Sequence, residues 1–122
     1  MAVDYDATVI NVNYRLAPEH KMPCGIDDCY AALKWVIAKS DYLGINKNKI
    51  VTMGESGGGY ICAGVSMRLA EANEGKLIKF SAQIIPMVSN RLFITPDSEL
   101  AEQEVMFKTV NKEVYMALVP NY

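Results

Sequence analysis

The sequence predicts an α/β architecture with a mostly parallel sheet and flanking helices, on three observations. Short β-branched or apolar runs occur at 8–14, 50–53 and 80–86; helical patterns lie between them; and a glycine-rich turn joins the second run to the helix after it. Strands that alternate with helices pair in parallel, because each helix carries the chain back across the sheet before the next strand begins.

Residues 8–14, Thr-Val-Ile-Asn-Val-Asn-Tyr, are short and β-branched, which predicts a buried strand. Pro18 and Pro23 then fall in a stretch without helical or alternating pattern, so a loop follows. Beyond it Ile26, Cys29, Tyr30, Leu33 and Ile37 recur at helical spacing. Asp27 and Asp28 stand near the start of that helix and Lys34 and Lys39 toward its end, the order that the helix dipole favours. Residues 41–49 read as a polar, solvated loop around Gly44, and 50–53 as a short apolar strand. From Tyr60 to Leu69 apolar residues occupy nearly every face, which predicts a helix buried all round near its start. Residues 80–86 read as a third strand; Asp97 or Ser98 is placed to cap a helix to about Lys108, and Asn111 another through Leu118.

Composition narrows the function. In 122 residues, 51% of them hydrophobic, the chain suits one domain rather than two. A formal charge of −2 with well-mixed signs offers no basic stripe for a phosphate backbone, so nucleic acid is a poor partner. No run approaches the roughly eighteen apolar residues of a membrane span, and the N-terminus lacks a signal-peptide layout, so the expected location is the cytosol. Cys24, Cys29 and Cys62 lack the spacing of a disulfide framework or a zinc site and read as reduced, buried thiols. No metal or cofactor is expected; Met53, Cys62 and Met67 fit core packing better.

The turn Gly54-Glu55-Ser56-Gly57-Gly58 carries the chemistry. A G-x-S-x-G sequence with a strand before it and a helix after it holds its serine in a strained conformation with the hydroxyl exposed. Gly54 and Gly58 are expected to lack side chains because strand and helix approach closely there, and the N–H of Gly57 to face a developing oxyanion. A phosphate-binding reading fails because no Gly-Lys-[Ser/Thr] follows, and a dinucleotide reading because no G-x-G-x-x-G spacing fits.

Tyr14-Arg15-Leu16-Ala17-Pro18-Glu19-His20, followed by Asp28-Cys29-Tyr30-Ala31-Ala32-Leu33-Lys34-Trp35 and then the elbow, resembles the hormone-sensitive lipase-like esterases, which include the arylacetamide deacetylases. The resemblance runs from about residue 8 to 86 and is weak beyond. It implies a central fragment of a single α/β-hydrolase domain, without the first and the last strands. Residues 1–86 would be core and 87–122 a segment leading toward an acid-bearing strand, with Phe93, Leu100, Met106 and Phe107 near an acyl pocket. Strands missing from a sheet leave edges open to another chain.

By that resemblance Ser56 is the nucleophile attacking a small ester's carbonyl, with a base and an acid later in the chain in the order Ser, Asp or Glu, His. No histidine follows Ser56 before Tyr122, and the family's His-Gly-Gly-Gly oxyanion loop is absent. His20 lies upstream, against that order, and reads as structural. Glu55 is expected to make a local contact, and Tyr14, Arg15 and Glu19 to shape their loop through hydrogen bonds and ion pairs. Two other readings compete: a ligand-binding protein without hydrolysis, as in the plant gibberellin receptors that resemble this family, and an inactive truncated product. A different residue at the position of the triad histidine would favour the first.

Overall fold

The computed structural model describes residues 6–87. Its elements in chain order are α1 (Cys24–Ala38), α2 (Ser40–Leu43), β1 (Val51–Glu55), α3 (Gly57–Glu71) and β2 (Phe80–Ile84), with 3₁₀ turns at Lys47–Lys49 and Gly75–Leu77. The helices expected around 98–108 and 111–118, and the pocket residues expected beyond 87, lie outside the described residues.

β1 and β2 pair in parallel, Val51 opposite Phe80 through Glu55 opposite Ile84. Backbone bonds prolong the ladder at both ends: Lys79 N–H donates to the Ile50 carbonyl at 2.8 Å, and Ser56 N–H to the Ile84 carbonyl at 2.9 Å. Across the ladder the Thr52 hydroxyl donates to that of Ser81 at 3.0 Å.

The core is the seam between α1 and α3, where Ile26 and Leu33 meet Ile61, Val65 and Leu69. Leu69 is 1% exposed. Gly64 lets the helices close, because a Cβ there would overlap the Ile26 side chain. Both short connections end their helices in the same way. After α3, Asn73 takes φ 58°, with Glu74 N–H on the Leu69 carbonyl and Asn73 N–H on that of Ala70; after α2, Gly44 does so at φ 66°. These pairs absorb carbonyls that a helix C-terminus leaves without partners. Tyr30 Oη then donates to Glu74 Oε2 at 2.7 Å and Lys34 pairs with the other carboxylate oxygen, tying α1 to the end of α3. Burial matters little to that carboxyl beside these two donors, which hold it below its ordinary range.

Three expectations are corrected. Residues 8–14 form no strand, because among the described residues no backbone hydrogen bond reaches them. An open cleft separates them from β1, and β-propensity without a neighbouring edge builds no ladder. Second, α3 is buried on one face only: Ile61, Cys62, Val65 and Leu69 are covered, while Tyr60 and Met67 are exposed. The same one-sided layering leaves Met53 56% exposed, so neither methionine is core. Third, only Cys62 of the three thiols is buried, Cys24 and Cys29 being half-buried.

Candidate active site

β1 ends at Glu55 and α3 begins at Gly57, so Ser56 is the whole connection between strand and helix. Its backbone takes φ 53° and ψ −114°, a region that a residue with a Cβ enters at a cost of about 1–3 kcal/mol. Two hydrogen bonds hold it there: its N–H donates to the Ile84 carbonyl at 2.9 Å, and its carbonyl accepts the Tyr60 N–H at 3.0 Å as the first bond of α3. Ser56 itself is exposed.

The glycines divide the remaining work unequally. A Cβ on Gly54 would overlap the carbonyl of Gly58 and lie 2.9 Å from the Gly59 nitrogen, backbone atoms that cannot give way. Gly59, which sequence reasoning passed over, is buried, and a Cβ there would lie 3.0 Å from the Ile84 oxygen and 3.1 Å from Pro86 Cβ. An added Cβ on Gly57 or Gly58 meets nothing within 4 Å among the described residues. What crowds Gly54 is the Gly58 backbone, not the space beside Gly58. The third glycine of the run was the available signal for Gly59.

Gly57 opens α3, and among the described residues no backbone acceptor takes its N–H. The positive end of the α3 dipole therefore lies beside the Ser56 hydroxyl. Glu55 is exposed at the strand end, with no hydrogen-bond partner for its carboxylate among the described residues. Beyond β2, Ile85 takes φ 43°, an outlier for a β-branched residue, directly after the carbonyl that holds Ser56.

Arg15 and Asp28 form the signature loop's anchor. Arg15 donates its backbone N–H to Asp28 Oδ2 at 2.9 Å, and its guanidinium reaches both carboxylate oxygens, with Nη2 to Oδ1 at 2.6 Å. These bonds hold the Asp28 carboxyl down to about 2. Arg15 thus pairs with α1 rather than with Glu19, and Tyr14 packs against the core beside Gly25 and Ile61. His20 is exposed on the turn that follows. Burial pushes the Cys29 thiol up to about 11 and raises that of Cys62, so both are protonated at neutral pH and poor nucleophiles. Among the described residues no cluster of three His, Cys, Asp or Glu side chains could hold a metal ion. Nor is any described helix long and apolar enough to cross a membrane.

Comparison with known proteins points one way. The model of a family with the α/β-hydrolase fold matches residues 1–120. An arylesterase of Saccharolobus solfataricus is 44% identical over 85 residues, covering 68% of this chain and 26% of the relative. A carboxylesterase of Mycobacterium tuberculosis, NlhH, is 38% identical over 109 residues, covering 89% and 34%. Bovine (Bos taurus) arylacetamide deacetylase is 35% identical, covering 86% and 27%. Among solved structures, the thermostable carboxylesterase EstE1 from a metagenomic library superposes with a TM-score of 0.68 at 38% identity, covering 80% of this chain and 35% of that one. The chain thus spans between a quarter and about a third of these relatives' length.

Proposed function

The chain belongs to the family of α/β-hydrolase-fold esterases that includes the arylacetamide deacetylases, and from that premise we propose that it carries the nucleophile of a serine hydrolase acting on small carboxylic esters. Ser56 Oγ bonds to the acyl carbon while its proton passes to a base, and the Gly57 N–H donates to the oxygen that gains negative charge. The single observation that carries this reading is the conformation of Ser56: exposed, at φ 53°, clamped between the end of β1 and the start of α3. Gly54, Glu55 and Gly58 shape the bend rather than take part in the chemistry. The substrate expected is a short acyl or aryl ester, in keeping with relatives named arylesterase and carboxylesterase.

No histidine follows Ser56 within the 122 residues, so base and acid are assigned to parts of the hydrolase domain other than this chain. The 122-residue chain alone is expected to hydrolyse p-nitrophenyl acetate no faster than its Ser56→Ala variant. The positive test replaces the matching segment of the Mycobacterium tuberculosis carboxylesterase with this chain's. A folded chimera should hydrolyse the same ester and lose at least about 10³-fold in kcat on Ser56→Ala. Equal turnover with and without the Ser56 hydroxyl would overturn the assignment.

The competing reading is a ligand-binding protein on the same scaffold, which a different residue at the position of the triad histidine would favour. The chimera separates the two, because a binding scaffold whose elbow has lost its chemistry would leave it folded and inactive.

A further inference from the structure

β1 and β2 end side by side, and the residue after each takes a positive φ: Ser56 at 53° and Ile85 at 43°. The register that sets Glu55 opposite Ile84 brings Ser56 beside Ile85 at its next step, about 5 Å apart as sheet neighbours are. The Ser56 N–H on the Ile84 carbonyl, at 2.9 Å, keeps the register to that step. Ile85 is thus fixed from both sides. Ile84 before it holds Ser56, and Pro86 after it sits on Gly59 of α3, its Cβ 3.1 Å from where a Gly59 Cβ would lie.

A turn at positive φ asks for glycine or asparagine, and a β-branched side chain is the least suited to it. Packing does not explain the isoleucine. Among the described residues its side chain joins no part of the core between α1 and α3 and is 68% exposed. Nor does hydrogen bonding explain it, because the bond that holds Ser56 runs through the main chain of Ile84 alone. What remains is its place, an apolar side chain one sheet spacing from Ser56 at the carboxyl ends of parallel strands. Strain held there without a packing reason points to a side chain that meets a ligand.

We propose that Ile85 is a specificity-determining residue, an apolar wall along which the substrate's acyl chain lies. The inference rests on Ser56 as the nucleophile. Once Ser56 Oγ has bonded to the acyl carbon and the alcohol, protonated by the base, has left, the acyl group alone stays attached beside Ile85. The leaving oxygen needs a proton donor, which an isoleucine does not supply, whereas acyl carbons need only apolar cover. An acetyl group is too short to use the wall. Each further methylene of a longer acyl chain leaves water against it, so the residue sets the preference between short and long acyl groups.

The test uses the chimera with the Mycobacterium tuberculosis carboxylesterase and compares p-nitrophenyl acetate with p-nitrophenyl hexanoate, turnover being expressed per site titrated with a fluorophosphonate. Ile85→Asn keeps a residue that accepts positive φ and removes the apolar surface. It should lower kcat/KM for the hexanoate about tenfold more than for the acetate. Ile85→Leu, apolar again, should return the ratio to within about twofold of the parent's. The ratio between p-nitrophenyl acetate and 1-naphthyl acetate, which differ only in the alcohol, should stay as it is in Ile85→Asn. Equal losses on acetate and hexanoate would make Ile85 a structural residue and overturn the proposal, and so would a preference that moves with the alcohol instead of the acyl chain. Turnover that survives Ser56→Ala in the same chimera is a separate failure, that of the nucleophile itself, and takes the proposal with it.

Discussion

Residues 8–14 and β1 are alike in composition and opposite in outcome. Both are short and rich in β-branched or apolar side chains, yet only β1 is a strand. β1 has β2 beside it, Lys79 and Ser56 bonded past its ends, and α3 packed on one face. Residues 8–14 are held at one end by Tyr14 in the core and Arg15 on Asp28, and face β1 only across the cleft. The difference teaches that the neighbour decides strand formation here; propensity makes a segment available for pairing and no more.

The sharpest way to break the comparison is at the junction that β1 alone possesses. Gly54→Ala drives a Cβ into the Gly58 carbonyl and should cost about 3–5 kcal/mol or abolish folding, whereas Gly58→Ala should be neutral or stabilise by up to about 1 kcal/mol. Urea denaturation of the two variants reads this contrast. Next in size is the ladder. Thr52→Pro removes an N–H that bonds β2 and should cost about 3 kcal/mol, while Val12→Pro, in a segment without such bonds, should change stability by less than about 0.5 kcal/mol. Equal losses from the two prolines would show residues 8–14 to be a working strand.

The smallest effect sharpens the anchor of residues 8–14. Arg15 holds the folded-state carboxyl of Asp28 at about 2, against an ordinary value of 3.8. A depressed carboxylate contributes stability above its unfolded value, here above about pH 4, and loses that contribution as pH falls through about 2. Stability measured from pH 6 downward should therefore carry a decline in that window that Asp28→Asn removes. The Arg15 amide, which donates to Asp28, should exchange faster in the variant. An unaltered acid profile in Asp28→Asn would remove the anchor from the account.

The parts legible in the sequence are those fixed by local chemistry. The 3.6-residue period from Ile26 to Ile37 places α1, and the strand, glycine and helix order around Ser56 places the elbow. The parts not legible depend on what lies across space. Nothing in residues 8–14 reports the distance to β1, and nothing in Met53 or Met67 reports that one side of β1 and of α3 is left uncovered. Gly59 was hidden because its constraint comes from Ile84 and Pro86, some 25 residues downstream. The strained Ile85 carries no sequence signal, since a β-branched residue is the least expected at positive φ.

The central claim is that the bend between β1 and α3 presents the Ser56 hydroxyl as a nucleophile. Fluorophosphonate labelling of the folded chimera, located by mass spectrometry of the digested protein, tests it most directly. The account predicts one phosphonyl adduct on the peptide containing Ser56 and none in Ser56→Ala. An adduct elsewhere that survives the substitution would contradict it.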